Sequence, residues 1–309
     1  MYTRRELGKL ALAAAVPGVA FLQKPSSKIG GVQIGLNVPY SFGSNALSGE
    51  ETLQRCVQLG VSGVELRSQP VEAFLGVPAD LVKAAGGRGR NPTPEQAAAR
   101  KAAMDGLRKW RLSAPMEKVR EFRRKYEDAG VQIEIVKFDA IYAREDDELD
   151  YCFELAKALG ARAISCEISV KDTKRVGQFA DKHRLMVGYH GHAETGPTDW
   201  ETAFGYAKHN GANVDIGHFV AGHNTSPVPF LKQHHARVTH IHVKDRKMNN
   251  GANTPFGQGD TPIREVLQLI RDNRWPIQAT IEFEYPVPEG SDRMAEIAKC
   301  VQFCKDALR

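Results

Sequence analysis

The sequence predicts an α/β fold, a (β/α)8 barrel built as a single domain. Eight short apolar, β-like segments alternate with helix-like runs, and repeats of this kind favour a closed parallel barrel. The chain has 309 residues, 42% hydrophobic and 26% charged, which suits a soluble domain of that size. The competing architecture is an open doubly wound sheet. No Gly-rich nucleotide-binding motif follows any predicted strand, which weakens that competitor.

The predicted strands and helices alternate along almost the whole chain. The strands lie at 32–40, 61–67, 131–138, 161–169, 185–192, 212–216, 238–243 and 277–284. Helical spacing, with Gly at several C-terminal ends, predicts helices at 50–60, 79–85, 95–110, 116–130, 145–160, 172–183, 262–273 and 291–308.

One connection, residues 68–114, is much longer than the others. Its Gly- and Pro-rich centre at 86–94 is incompatible with a regular element. Long β/α connections on a barrel often act as lids, with Arg88, Arg90 and Trp110 as the substrate-facing candidates here. The alternative is a disordered surface insertion.

The N-terminal residues 1–28 are predicted to form a signal and linker, separate from the barrel at 29–309. The pair Arg4-Arg5 precedes a short apolar run and a polar linker, an order that resembles a twin-arginine export signal and predicts a periplasmic protein. The apolar run is shorter than the ~20 residues of a membrane span. A frayed amphipathic helix is the alternative.

The charge and the cysteines exclude two classes of protein. Residues 1–28 hold five basic residues and one Glu, which is +4 of the net +5 and leaves +1 for the rest. A net charge of +1 on residues 29–309 gives no electrostatic reason to expect nucleic-acid binding. Five cysteines without a CxxC argue against a disulfide scaffold. The sequence is compatible with an oligomer and does not specify one.

Polar residues follow the apolar part of four predicted strands. Glu167, Asp215, His242 and Glu282 lie near the strand ends, where barrels of this kind carry their sites. Buried carboxylates are costly unless they are paired or bind a metal. A mixed carboxylate and imidazole set suits Mn²⁺, Co²⁺, Zn²⁺ or Mg²⁺. The sequence therefore predicts a divalent metal site.

Four motifs in the second half of the chain carry a resemblance to a known family. They are Asp215-Ile-Gly-His218, His240-Ile-His242-Val-Lys-Asp245-Arg246, Gly257-Gln-Gly259 and Ile281-Glu282. Their order and spacing resemble the xylose-isomerase-like TIM barrel superfamily, whose sugar epimerases carry D-x-x-H, H-x-H, G-x-G and a terminal-strand Glu. Inosose dehydratases and 3-keto-glycoside-processing relatives share this frame.

The resemblance implies roles for individual residues. Asp215, His242 and Glu282 match the metal ligands, and His218 and Arg246 match residues that contact substrate. Asn37 and His240 complete the expected substrate-binding set.

The sequence departs from the epimerase pattern on the fifth strand. The epimerases have a ligand Glu where this chain has His190-Gly-His192. Glu167 is the favoured replacement, and His190 and His192 remain candidates as ligand or as acid/base.

The implied chemistry is proton abstraction next to a carbonyl through a metal-bound enediolate. Glu284 is the candidate base, and Lys244 and His192 are candidate proton donors to a leaving oxygen. The alternative for Lys244 is a simple pair with Asp245 at the barrel rim.

These expectations favour a metal-dependent sugar isomerase or epimerase. A lyase acting on 3-keto-glycosides or inosose-like cyclitols is the second reading, and a periplasmic location favours it. A nuclease that shares the barrel would need more ligands and a basic face. A sugar-binding barrel without catalysis would be expected to lack the ligands.

Overall fold

Eight parallel strands close into a barrel in the computed structural model, which describes residues 24–86 and 92–309. The strands are β1 (Val32–Val38), β2 (Gly63–Arg67), β3 (Gln132–Lys137), β4 (Ala163–Glu167), β5 (Met186–His190), β6 (Asn210–Asp215), β7 (Val238–Val243) and β8 (Gln278–Ile281). Each pairs in parallel with its neighbours in the chain, and β8 pairs with β1. The predicted (β/α)8 barrel is confirmed.

Helices surround the barrel on its outer side. In the described residues they are α1 (Gly49–Gln58), α2 (Gln69–Phe74), α3 (Ala79–Ala85), α4 (Pro94–Leu112), α5 (Met116–Asp128), α6 (Asp146–Ala158), α7 (Thr173–His183), α8 (Pro197–Tyr206), α9 (Ile216–His223), α10 (Val228–His234), α11 (Ile263–Asp272) and α12 (Arg293–Leu308). The strands are buried on both faces because side chains fill the barrel inside and the helices cover it outside.

Local sequence signals set the ends of these elements. Ser48 caps α1 through a reciprocal capping box with Glu51. Gly60 and Gly160 follow α1 and α6 with φ of 66° and 77°, a conformation in which a Cβ is disfavoured. These glycines turn the chain from a helix into the next strand, which is why the predicted helix ends lie close to the observed ones.

The register of the barrel brings polar residues from distant parts of the chain side by side. Glu167 on β4 is level with His190 on β5, and Asp215 on β6 is level with His242 on β7. These pairs lie at the C-terminal ends of the strands. The strand ends therefore meet at one mouth of the barrel, as the sequence predicted.

The long connection between β2 and β3 contains α2, α3 and α4. Arg111 on α4 forms ion pairs with Glu72 on α2 and Glu148 on α6, each with an N–O distance of 2.8 Å. The described part of the insertion is thus helical and docked on the barrel. Trp110 is partly buried and packs against the hydrophobic core, while Arg88 and Arg90 lie outside the described residues.

The predicted twin-arginine motif and its apolar run lie outside the described residues. The linker after them contacts the barrel: Ser27 is buried, and its backbone N–H donates to Ser62 Oγ at 2.9 Å. No helix in residues 24–86 and 92–309 has the length and apolar character needed to cross a bilayer. All five cysteines are buried and free.

Candidate functional site

Four side chains converge at the mouth of the barrel from four consecutive strands. They are His190 on β5, Asp215 on β6, His242 on β7 and Glu282, directly after β8. All four are buried, and each offers one ligand atom within 4.8 Å of the other three. The shortest of these distances are 3.1 Å from His242 Nδ1 to Glu282 Oε2 and 3.4 Å from His190 Nε2 to Asp215 Oδ2. We call this group the four-residue cluster.

The four-residue cluster suits a divalent cation. His242 Nδ1 is buried and has no hydrogen-bond partner in the described chain, although it faces the carboxylates of Glu282 and Asp215. A lone pair directed at two carboxylates is unfavourable unless a proton or a metal ion lies between them. Two imidazoles and two carboxylates form a donor set typical of Mn²⁺, Co²⁺ or Zn²⁺. The residues present therefore fit the metal that the sequence predicted.

A second carboxylate holds each imidazole of the four-residue cluster from behind. Glu167 Oε2 lies 2.8 Å from His190 Nδ1, and Glu65 contacts His242 Nε2. Each carboxylate accepts a hydrogen bond from the outer ring nitrogen, so the inner nitrogen of each ring is directed at the cluster. This arrangement is typical of metal-binding histidines, in which the outer partner fixes the tautomer and the ring orientation.

Glu167 therefore lies outside the four-residue cluster and His190 lies within it. The Glu167 carboxylate lies 2.8 Å from His190 Nδ1, 2.8 Å from His192 Nε2 and 2.7 Å from Lys137 Nζ. The Glu167 side chain is 47% exposed. Burial would raise the pKa of Glu167, but the two histidines and Lys137 lower it well below the ordinary value. Residue spacing favoured Glu167 as the ligand, but spacing does not show which side chain reaches the centre of the barrel mouth.

Lys244 compensates the negative charge of the cluster. Its Nζ lies 3.0 Å from Asp215 Oδ2, 2.7 Å from Glu282 Oε2 and 2.6 Å from Glu284 Oε2. Burial would lower the pKa of Lys244, but these carboxylates raise it above the ordinary value. The ammonium is therefore charged and lies between the cluster and the predicted base, Glu284.

Lys244 does not pair with Asp245 at the rim, which was the alternative drawn from the sequence. The Asp245 carboxylate instead accepts from the backbone N–H groups of Gly257, Gly259 and Thr261 at 2.7 to 3.2 Å. A Cβ on Gly259 would come within 2.0 Å of the Asp245 carboxylate, so only glycine permits this approach. The G-x-G motif thus attaches its loop to β7.

Glu284 has two further partners that the sequence did not identify, Tyr40 and the side-chain amide of Asn253, whose Nδ2 lies 3.5 Å from Oε2. The hydroxyl of Tyr40 donates to Glu284 Oε1 at 2.7 Å, so each carboxylate oxygen has a donor. Burial and the Glu284 carboxylate raise the pKa of Tyr40, so this hydroxyl keeps its proton. Arg67 lies with its guanidinium carbon 4.7 Å from the centre of the Tyr40 ring and supports it from the other side.

His218 and Arg246 lie next to each other at the edge of the site. The guanidinium of Arg246 donates to His218 Nδ1 at 2.6 Å, and His218 Nε2 lies 3.2 Å from Lys244 Nζ. Burial lowers the pKa of His218 to about 4. His218 is therefore a neutral acceptor. Its backbone N–H donates to Asp215 Oδ1, so Asp215 caps α9 with one oxygen and faces the cluster with the other.

The remaining two predicted substrate contacts occupy different depths. Asn37 donates to Glu282 Oε1 at 2.7 Å, and its Oδ1 has no partner in the described chain. His240 is buried beneath the cluster, 3.4 Å from Glu65 Oε1 and 2.8 Å from Thr239 Oγ1. Burial lowers the pKa of His240 to about 4. Asn37 borders the cluster, whereas His240 lies behind Glu65.

Three residues of this site, Glu65, Lys137 and Tyr40, were not assigned a role from sequence. Glu65 and Lys137 are charged residues on β2 and β3 that the barrel buries. Tyr40 belongs to a short 3₁₀ helix directly after β1, and nothing in its neighbours marks it. Its role depends on a partner 244 positions away.

Comparison with known proteins identifies the family. Residues 53–307 match the family described as xylose isomerase-like TIM barrel, so the chain belongs to that family. No functionally curated protein matches the chain.

Solved structures with low sequence identity share the fold. A xylose isomerase domain protein from Planctomyces limnophilus is 16% identical with a TM-score of 0.60, covering 89% of this chain and 97% of that one. The probable 3-DHS dehydratase AsbF from Bacillus anthracis is 13% identical with a TM-score of 0.60, covering 88% and 99%. A xylose isomerase domain protein from Alicyclobacillus acidocaldarius is 13% identical with a TM-score of 0.61, covering 90% and 99%.

Proposed function

We propose that this member of the xylose isomerase-like TIM barrel family is a divalent-metal-dependent sugar isomerase or epimerase. It would abstract a proton from the carbon next to a carbonyl group. The observation that carries the proposal is the four-residue cluster, with each imidazole oriented by an outer carboxylate. Residues His190, Asp215, His242 and Glu282 are the proposed ligands.

A bound divalent ion would polarise the substrate carbonyl and thereby make the neighbouring C–H more acidic. Glu284 is the proposed base, because it lies beside the cluster and its side chain is 21% exposed to the mouth of the barrel. Tyr40 and Lys244 fix the two oxygens of Glu284. The Lys244 ammonium also places positive charge where negative charge develops during proton abstraction.

Glu167 and His192 lie beside His190, one of the proposed ligands. The carboxylate of Glu167 accepts from the His192 ring at 2.8 Å and raises the pKa of His192 above its ordinary value. A proton can be removed by Glu284 and another delivered by His192. A pair of such groups suits an epimerase, because the proton returns to the opposite face of the carbon.

Metal content tests the proposed ligands directly. The chain is purified with Mn²⁺, Co²⁺, Zn²⁺ or Mg²⁺, and bound metal is measured for the unchanged chain and for Asp215→Ala and Glu282→Ala. We expect stoichiometric metal in the first and its loss in both variants. Asp272→Ala removes an exposed carboxylate that pairs with Arg271 on the surface, and this variant should keep the metal. Unchanged metal in both cluster variants would refute the assignment.

The reaction is tested by following keto-sugars in deuterated water by NMR. Deuterium next to the carbonyl, with all substituents retained, is the expected result. Loss of a substituent indicates the second candidate, a lyase acting on 3-keto-glycosides or inosose-like cyclitols. The observation that favours a lyase is His192, a half-exposed imidazole paired with Glu167, which in its protonated form would give a proton to a leaving oxygen. One fold relative is a probable dehydratase. Binding of sugar without exchange would support a non-catalytic sugar-binding barrel.

We also propose that the N-terminal Arg4-Arg5 motif directs export to the periplasm by the twin-arginine route. The support is the order of the Arg pair, the apolar run and the polar linker. Replacement of both arginines by lysine should retain the protein in the cytoplasmic fraction of a bacterial host. Unchanged export of that double variant would refute the proposal.

A further inference from the structure

Ser27 joins the starts of β1 and β2 at the end of the barrel opposite the four-residue cluster. The residue is fully buried. Its backbone N–H donates to Ser62 Oγ at 2.9 Å, and its hydroxyl donates to the Ile34 carbonyl at 2.7 Å. In return, the backbone N–H of Ser62 donates to Ser27 Oγ at 2.8 Å, and that of Ile34 donates to the Ser27 carbonyl at 2.9 Å. Ser27 is therefore part of the folded barrel.

The residues on both sides of Ser27 are also built into the barrel. A two-residue strand, Lys28–Ile29, pairs antiparallel with the start of β1. Upstream, Lys24 and Pro25 lie against the turn between α5 and β3. A Cβ on Gly130 in that turn would come within 2.9 Å of Lys24 Cβ and 3.2 Å of Pro25 Cδ. The folded unit therefore extends upstream to Lys24.

These contacts limit where a leader can be removed. A cut directly before Ser27 would place a charged amino group at a fully buried position, which is costly. A cut after Ser27 would take away the acceptors that the backbone N–H groups of Ser62 and Ile34 use. The leader must therefore be removed upstream of Ser27.

The sequence upstream of Ser27 offers one suitable cut. Signal peptidases require small residues at the first and third positions before the cut, after an apolar run of roughly 7–15 residues. Gly18 and Ala20 form such a pair, and no other pair of this kind lies between them and residue 27. A cut after Ala13 or Ala15 would leave an apolar run from Leu10 that is shorter than this range.

We infer that a signal peptidase cleaves the exported chain between Ala20 and Phe21, so that the mature protein begins at Phe21. The inference rests on the proposed export. Water adds across the amide bond, which leaves a carboxylate on Ala20 of the released leader and an amino group on Phe21. Residues 21–26 remain attached, and Ser27 keeps all its partners.

The N-terminus of the exported protein tests the cut. The full chain is produced in a bacterial host that has the twin-arginine route, and the periplasmic protein is analysed by intact mass and N-terminal sequencing. We expect Phe21 as the first residue. Any other N-terminus, or an exported chain that is not cut, would overturn the inference.

Two matched variants test the residue before the cut. Ala20→Leu places a large side chain at the first position before the cut, so the uncut precursor should accumulate. Ala15→Leu makes the same change within the apolar run and should be cut at Phe21 like the unchanged chain. Normal cleavage of the Ala20 variant, or equal loss of cleavage in both, would contradict the assigned site.

Ser27→Ala tests the structural limit without reference to export. The variant removes the hydroxyl that donates to Ile34 and accepts from Ser62, so the urea midpoint of the full chain should fall by roughly 0.5 M. Ser26→Ala changes an exposed neighbour and should keep the midpoint of the unchanged chain. Equal midpoints for the two variants would remove the reason for placing the cut upstream of Ser27.

The outcomes separate this inference from the proposed export route. Export with a different N-terminus supports the route and overturns the cut site. If the chain with both leader arginines replaced by lysine is still exported and begins at Phe21, the cut site stands and the twin-arginine route is refuted. A chain that is neither exported nor cut overturns both.

Discussion

Glu167 Oε2 lies 2.8 Å from Nδ1 of His190, and this contact directs the other ring nitrogen of His190 toward Asp215. The same relationship recurs between Glu65 and His242 on the other side of the site. The two carboxylates share one task, although they lie on different strands. Both orient an imidazole while remaining outside the group of four converging ligand atoms.

Glu167→Gln should weaken metal binding without abolishing it. The amide is close in size to the carboxylate but is a weaker acceptor, so His190 loses part of its orientation and basicity. We expect metal affinity to fall about 10- to 100-fold, less than the loss expected for Asp215→Ala. Calorimetric titration of the metal-free protein with Mn²⁺ or Zn²⁺ measures the change.

Glu201→Gln is the control for this variant. Glu201 Oε1 contacts His234 Nε2 at 3.0 Å, a carboxylate–histidine pair away from the barrel mouth. The Glu201→Gln variant should bind metal with the same affinity as the unchanged chain. If Glu167→Gln abolished binding as completely as Asp215→Ala does, Glu167 would be a ligand, as the sequence first suggested.

Lys244→Met should destabilise the metal-free protein strongly. The substitution removes the ammonium that compensates Asp215, Glu282 and Glu284 and leaves their charges unpaired. Breaking a buried ion pair in this way costs about 3–5 kcal/mol. Chemical denaturation measures the loss, and added metal should restore more stability to the variant than to the unchanged chain.

The control for Lys244→Met is Lys182→Met. Lys182 pairs with Asp150 at 2.7 Å on the surface, where its side chain is 60% exposed, so its loss should change stability by no more than about 0.5 kcal/mol. Equal stability of the two metal-free variants would show that Lys244 does not compensate the cluster.

Metal affinity should rise with pH because of His242. Burial opposes the charge on this ring, but Glu282 and Glu65 raise the pKa of His242 to about 10. Below that pH the metal-free ring is protonated, and the metal must displace the proton. Release of one proton strengthens binding by about tenfold per pH unit, so the gain from pH 6 to 8 should be large.

Calorimetry in buffers of different ionisation enthalpy counts the released proton. The exposed pair of His209 with Asp181 lies outside the site, so His209→Gln should show the same pH dependence as the unchanged chain. Metal binding that releases no proton and is constant over this range would contradict the prediction.

Tyr40→Phe should lower kcat for deuterium exchange more than it changes KM. The variant removes the hydroxyl that donates to Glu284 Oε1, so the base is less well positioned. A hydrogen bond to a charged group is worth about 1.5–3 kcal/mol, so a loss of roughly tenfold or more is expected. Steady-state exchange kinetics on a keto-sugar provide both constants.

Tyr126→Phe removes a comparable hydroxyl, one that donates to the Gly49 carbonyl at 2.8 Å far from the site. Its kcat should match that of the unchanged chain. A similar fall in both variants would mean that Tyr40 acts only through stability.

The sequence predicted the barrel well because its signals are local. Apolar segments such as β6 and β7, and glycines such as Gly60 and Gly160, mark the elements within a few neighbouring residues. Strand alternation also predicted that paired residues share a face. The rings of His190 and His192 do so, since both contact Glu167.

Sequence could not assign roles that depend on contacts between distant residues. Asp245 follows Lys244 directly, yet its carboxylate binds the backbone of a loop, whereas Lys244 contacts three carboxylates. Tyr40 and Glu284 are separated by 244 positions, and no spacing rule connects them.

The sequence by itself determined the order of strands and helices and placed polar residues at the strand ends, because periodicity and helix termination are properties of neighbouring residues. Only the tertiary structure decided which side chains reach the centre. Glu167 and His190 are level in adjacent strands. The register of the closed barrel and the side-chain rotamers bring the His190 ring into the four-residue cluster and leave the Glu167 carboxylate on the outer side of that ring.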